Sequence, residues 1–350
     1  MGGAAGLDIL GRALRPGAIP THLTVYVTGR CNLRCRHCFH FEEVREGLPG
    51  LDLERIQRLG AGAGRLLWVS LGGGEPFLRD DLVEIGAAFP GVRHLTIPTN
   101  GLVPGTADTV AALAGRMPGT GVFVSVSLDG PEEVHDSIRG RRGAFQKSIK
   151  GLCELQDIAA SRSNLSVGVI TCVTAENQDL MPAFVEDVAA LDPDHLTINL
   201  ARGKALDQSL LDVDRNVWQA TLDVRARLHK EGRLRTWNAG PRRLMRARDR
   251  AAADLVAGRA WAPCTAGELS AVVTEDGTVL SCEILEAELG NLADFGDDLL
   301  SLWASPGAVA VRRRIREERC ACTWECAMAD NALFRKRLWP RLATHALVGR

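Results

Sequence analysis

The sequence predicts an α/β protein: a partial (β/α)6 TIM-like barrel followed by a small α+β module built on a β-hairpin. Three observations predict it. Six β-rich runs alternate with amphipathic stretches over the first two hundred residues, the rhythm of right-handed βαβ units and a parallel sheet. Several of these runs end in polar or glycine-rich segments, where a parallel barrel presents its chemistry. Near residue 235 the alternation stops and a hairpin pattern takes over.

The strands are expected at 22–28, 66–71, 94–98, 122–128, 165–173 and 195–200. Amphipathic helices are expected at 52–59, 80–88, 107–113, 144–159 and 178–191, each within the length of a crossover. A long helix at 213–229 and a basic helical stretch at 241–250 follow. Runs 270–273 and 279–282 flank Glu275-Asp276-Gly277, and Asp-Gly is a strong hairpin turn signal. The expected division is an N-terminal extension at 1–20, the barrel at 21–235 and the second module at 236–350. A chain of 350 residues is long enough for such a pair.

Composition excludes several classes. Forty-two Lys and Arg against 43 Asp and Glu leave a formal charge of −1, without the basic excess of a nucleic-acid binder. No apolar run reaches the roughly 18 residues of a membrane span. The first twenty residues carry Arg12 and Arg15 but no apolar core of a secretory signal. Ten cysteines occur, most of them in tight clusters, which suits metal binding in a reducing compartment better than disulfides. A cytoplasmic location is the expectation.

The first cluster follows the first strand directly: Cys31-Asn-Leu-Arg-Cys35-Arg-His-Cys38. Three thiolates can hold three irons of a four-iron cluster and leave the fourth iron open, whereas structural metal sites are normally closed by four protein ligands. A zinc site completed by His37 or His40 is the other reading. The second strand ends in Gly72-Gly73-Gly74-Glu75-Pro76. There the glycines permit close backbone approach to a ligand, and Glu75 can accept from a cation. Asn100 ends the third strand. Ser127 and Asp129 end the fourth, followed by His135 and Arg139. His135 reads as a structural histidine. Arg139 offers a guanidinium fork that suits a carboxylate. Cys172 lies on the fifth strand; its readings are a buried thiol or a hydrogen-atom donor facing the substrate. Asn199 and Arg202 close the sixth and could grip a polar substrate.

Cys31-x-x-x-Cys35-x-x-Cys38 with the Gly-Gly-Glu-Pro turn resembles the signature of radical S-adenosylmethionine (radical SAM) enzymes. The resemblance implies a [4Fe-4S] cluster whose open iron chelates S-adenosylmethionine, and reductive cleavage to a 5′-deoxyadenosyl radical that abstracts hydrogen from an unactivated C–H bond. It implies cofactor contacts from His37, Gly73, Gly74, Glu75, Asn100, Ser127, Asp129 and Arg139. His37 replaces the usual aromatic residue near the adenine.

A second set of thiols comprises Cys264, Cys282, Cys320, Cys322 and Cys326. Cys264, Gly277 and Cys282 frame the hairpin, and five thiols suffice for one closed four-iron cluster; a zinc ribbon is the alternative. The arrangement is similar to the SPASM/twitch extension of radical SAM enzymes and implies one auxiliary [4Fe-4S] cluster. Which two of Cys320, Cys322 and Cys326 close it stays open, and Cys153 and Cys172 are left over. The expected activity is oxidation or epimerisation of a small polar molecule such as a sugar, cyclitol or nucleotide-linked intermediate, with flavodoxin or ferredoxin as reductant. The alternative is a maturase acting on a ribosomal precursor peptide; only about twenty residues precede the first strand, which disfavours a leader-binding domain there. A non-catalytic metal scaffold is the remote third reading.

Overall fold

A computed structural model describes residues 19–235, 250–251, 254–255, 258–318, 320, 327, 330–331 and 334–348. Cys322, Cys326 and the stretch 241–249 lie outside the described residues. One sheet of nine strands organises the molecule, in the order β6-β5-β4-β3-β2-β1-β7-β8-β9. Strands β1 (His22–Thr28), β2 (Trp68–Gly73), β3 (His94–Thr99), β4 (Gly121–Ser127), β5 (Leu165–Val173) and β6 (Leu196–Leu200) are parallel in sequence order. They form the partial barrel read from the sequence. No described helix is long and apolar enough to cross a membrane.

Two alternations run along every barrel strand. Leu23, Val25, Val69, Leu71, Leu95, Ile97, Val122 and Val124 are buried in the core. They face helices α2 (Leu53–Gly62), α3 (Leu82–Ala87), α4 (Thr106–Arg116) and α6 (Ala144–Ala159), whose Ile56, Leu59, Ile85, Leu113 and Leu152 share that core. The intervening positions point to the opposite face of the sheet, into the barrel. Here they are largely polar: Thr24, Ser70, Thr96, Ser125 and Thr197 line a cavity.

Three further helices complete this part: α1 (Phe41–Glu46), α5 (Glu132–Arg139) and α7 (Met181–Ala190); α8 (Arg215–Glu231) packs on α7. The sequence reading left α1 and α5 unassigned. Both are short, and each ends on a glycine with positive φ, Gly47 and Gly140, which stops the helix.

The hairpin appears as predicted, with β7 (Ser270–Val273) antiparallel to β8 (Thr278–Leu280). β7 pairs in parallel with β1, His22 opposite Ser270 through Val25 opposite Val273. β9 (Glu288–Asn291) then extends the sheet. Helices α9 (Leu299–Ala304) and α10 (Pro306–Glu317) cover this end, and α11 (Trp339–Val348) lies near the chain end. The second module is therefore joined to the barrel by backbone hydrogen bonding as well as by side chains.

Candidate functional site

The cysteine loop leaves the C-terminal end of β1 and is held on three sides. Arg36 N–H donates to Ile138 of α5 at 2.8 Å. Leu206 and Asp207, from the loop after β6, donate to Cys38 and Arg36 carbonyls at 3.2 and 2.8 Å. The Arg36 guanidinium pairs with Asp207 at 2.7 Å and with Glu176. Beneath the loop run the glycines of β2. A Cβ on Gly74 would lie 2.1 Å from the Arg30 carbonyl oxygen, and one on Gly73, at φ +101°, 2.5 Å from that of Thr28. The close approach that these glycines permit is thus to the root of the cysteine loop: Gly74 and Glu75 N–H groups donate to Thr28 and Arg30 at 2.6 and 2.8 Å.

Cys31, Cys35 and Cys38 line one cavity of about 550 Å³, together with Glu75, Arg139 and Cys172. The residues present fit an iron–sulfur cluster. Burial pushes Cys31 up to about 11 and Cys38 up to about 12. Such thiols hold their protons at neutral pH until a metal displaces them. The amides of Leu33 and His40 hydrogen-bond Cys31 and Cys38, and the Arg139 guanidinium lies 3.9 Å from Cys35 Sγ; hydrogen bonds to sulfur are one of the means by which proteins tune such clusters.

Glu75 is buried. Its carboxylate accepts from Thr99 Oγ1 and Asn100 N–H, both at 2.8 Å, and from Phe77 N–H at 3.3 Å. Burial nonetheless pushes it up to about 7. A buried carboxylate in that state favours a cationic ligand that would pay its desolvation. Asn100 also lines the cavity and donates through Nδ2 to Asn32 at 2.6 Å.

Asp129 is fully buried behind the cavity wall. One oxygen accepts from Cys172 N–H at 2.8 Å and the other meets Arg139 Nε at 2.6 Å. Asp129 therefore reaches the cavity through Arg139, which lines it. His37 lines the cavity and stands 4.0 Å from Asp129; burial lowers it to about 4, so it is neutral. His135 is structural in place, its Nδ1 accepting from Asp129 N–H at 3.1 Å. Ser127, Cys172, Asn199 and Arg202 all line the same cavity. Cys153, one of the two thiols outside the clusters, is exposed on the solvent face of α6.

Four residues of the cavity region, Tyr26, His40, Glu275 and Glu283, make contacts that the sequence did not predict. Tyr26 and Glu283 line the cavity; the buried phenol lies near the Glu283 carboxylate, and burial together with that charge pushes it up, but it makes no hydrogen bond among the described residues. Arg202 forms an ion pair with Glu283 at 3.5 Å. His40 packs on Tyr26 with ring centroids 4.5 Å apart and meets Glu275, on the hairpin turn, at 2.7 Å. Tyr26 lies on the cavity side of β1, two residues beyond Thr24; His40 meets Glu275 across more than two hundred residues.

At the second set, Cys264 and Cys282 are buried and Cys320 is half-buried. The Cys264 and Cys320 thiols lie close together, and that proximity with burial pushes Cys264 well up. Ala266 N–H donates to Cys264 Sγ at 3.4 Å and Leu285 N–H to Cys282 Sγ at 3.2 Å.

Three thiols on the mouth of a parallel barrel, above a buried carboxylate, suit a metal cluster that keeps one position open. Residues 25–188, just under half of the chain, match the model of the Radical SAM superfamily. Among curated relatives, the chain is 28% identical over 222 residues to a pre-heme d1 synthase of Dinoroseobacter shibae, covering 59% of this chain and 51% of that protein. It is 23% identical over 343 residues to the sporulation killing factor maturation protein SkfB of Bacillus subtilis, covering 91% and 73%. The chain spans about half the length of the first of these. The crystal structure of Streptococcus suis SuiB bound to S-adenosylmethionine shares the fold, with TM-score 0.62 and 16% identity over 88% of this chain and 72% of that one.

Proposed function

We propose that this enzyme oxidises a small hydroxylated molecule by two electrons, with Cys31, Cys35 and Cys38 holding the open cluster. The observation that carries the reading is Glu283. Its carboxylate faces the cavity beside Tyr26, one residue after Cys282. Cys264, Cys282 and Cys320, with Cys322 or Cys326, would hold an auxiliary [4Fe-4S] cluster.

When bound, the open cluster and S-adenosylmethionine supply a carbon radical that takes one hydrogen atom, and the auxiliary cluster accepts one electron. The protein supplies the rest. Glu75 holds the amino group of S-adenosylmethionine, and Arg139, braced by Asp129, holds its carboxylate. His37 and Asn100 flank it and Ser127 faces it. Asn199 and Arg202 orient the substrate. A carbinol then loses its C–H hydrogen atom, its O–H proton to Glu283 and one electron, so a C=O bond forms and the atoms and charges balance. Arg202, 3.5 Å from the Glu283 carboxylate, holds it in place. A general base at this position is worth about 10²–10⁴ in rate. Reduced flavodoxin or ferredoxin is the electron source in this reading, and the cytoplasm its location.

The test is anaerobic turnover with dithionite, S-adenosylmethionine and a panel of uncharged polyols and aminocyclitols. Expected are 5′-deoxyadenosine and a product two hydrogens lighter, lost on Glu283→Gln and retained on Cys172→Ala. Solvent deuterium in an otherwise unchanged product, abolished by Cys172→Ala, would replace oxidation by epimerisation. A second reading, maturation of a peptide, is favoured by one observation: the similarity to SkfB runs over 91% of this chain. Modification of a peptide with no turnover of any polyol would establish it.

A further inference from the structure

The lower half of the barrel holds a feature that the reaction above leaves unused. A filled parallel barrel packs bulky branched side chains in layers. Here Thr24, Ser70, Thr96, Ser125 and Thr197 take those places and line open space. The floor beneath them is a belt of rings at the N-terminal strand ends: His22, Trp68, His94, Phe123 and His195. Successive centroids are 5.8, 5.3, 5.5 and 6.1 Å apart. The backbone is shaped to admit this belt. A Cβ on Gly168 would lie 2.5 Å from the His195 ring, and one on Gly121 2.9 Å from Phe123.

The hydroxyls and rings are linked. His22 Nε2 meets Ser70 at 3.1 Å, Ser70 meets Thr96 at 2.7 Å, and Trp68 Nε1 donates to Thr96 at 3.0 Å. On the far side His195 bridges Ser125 at 2.9 Å and Ser166 at 3.1 Å. Each hydroxyl can donate once and accept twice; Ser70 makes two such contacts and Ser125 one, and Thr96, which also lies 3.5 Å from the Val69 carbonyl, keeps an acceptor site when its proton goes to Ser70. The charged groups on the cavity wall (Glu75, Arg139, Arg202 and Glu283 among them) belong to the strand C-termini and the second module. None comes from the floor, where burial holds His22, His94 and His195 neutral at about 4. From His22 to Tyr26 the chamber is about 13 Å deep, at roughly 3.3 Å per residue.

We infer that this chamber binds the end of the substrate remote from the reacting carbon, and that it takes an uncharged, hydroxyl-bearing ring. The hydroxyls of such a ring exchange water for Ser70, Thr96, Ser125 and Thr197, and its C–H face lies against Trp68. A phosphate or carboxylate there would be a buried charge without a counter-charge, which is strongly disfavoured. The inference rests on the proposed oxidation at the cavity mouth and names its substrate class.

The test is equilibrium binding to the cluster-loaded, S-adenosylmethionine-bound enzyme. The probes are myo-inositol and methyl α-glucoside, with glucuronate and a neutral tripeptide as counterparts. The uncharged ring probes should bind, with glucuronate at least tenfold weaker. Thr96→Val and Ser125→Ala should each weaken them by about 2- to 13-fold, the worth of one hydrogen bond. Unchanged iron content and melting temperature certify that each variant is folded. Failure of every uncharged ring to bind, equal binding of glucuronate, preference for the tripeptide, or wild-type binding by both folded variants overturns the inference. Formation of 5′-deoxyadenosine, measured alongside on the wild type, reports separately on the reading beneath: its presence without polyol binding removes the chamber assignment alone, and its absence removes both.

Discussion

At the residue scale, Glu75 carries the sharpest prediction. Its folded-state value of about 7 lies above the ordinary carboxylate value because of burial. Protonated Glu75 cannot pair with an ammonium group. Affinity for S-adenosylmethionine should therefore rise with pH up to about 7 and level off above it, by nearly tenfold per pH unit on the acid side. Glu75→Gln should flatten that profile, as anaerobic binding titrations would show. The same shift has a stability consequence of fixed sign. A carboxyl with a raised folded value favours the protonated fold, so its contribution is full below about 4.5 and is lost as pH rises through 7. Gly74 tests the other side of the turn. Gly74→Ala sets a methyl 2.1 Å from backbone oxygen, and such overpacking costs about 1–3 kcal/mol. It should lower the melting temperature and the iron content together, because what shifts is the base of the cysteine loop. These residues were legible because their motif is local. Glu283 and His40 were not, since their partners stand far away in sequence, and Glu275 was legible only as a turn residue.

At the element scale, the barrel strands and the longer crossovers followed from periodicity, and β1 and β5 match their expected spans. The short α5 did not, because eight residues give too few turns for a helical period to show; Arg139 then read as a loop residue although it is the last residue of a helix. Asp297 is the element-scale test. It has a positive φ of 63° and accepts from Arg55 at 2.8 Å and Arg58 at 2.9 Å, both on α2. This ties the second module to the longer of the two helices between β1 and β2. Asp297→Ala removes both ion pairs and keeps the unfavourable backbone. It should destabilise by about 1–3 kcal/mol, discounted for the partial exposure of both arginines. Asp297→Asn should cost less, as its side chain tolerates the left-handed conformation. Thermal denaturation of the two variants decides it.

At the scale of the whole molecule, the count of metal is the arbiter of architecture. Reconstituted wild type should carry about eight irons and Cys264→Ala about four, if each set of thiols holds one four-iron cluster. An unchanged count in Cys264→Ala would remove that residue from the ligands. The sequence reading separated barrel from module at residue 235, but hydrogen bonding runs across that division, because strand pairing between distant segments leaves no mark on local composition. The parallel seam between β1 and β7 also governs how this protein can be handled. A gene truncated after the sixth strand would leave β1 with a bare row of amide and carbonyl groups along its length, which is a template for strand addition by other molecules. Such a fragment should aggregate on expression, so tags, fusions and domain exchanges belong at the chain ends, with the first strand and the hairpin kept in one polypeptide.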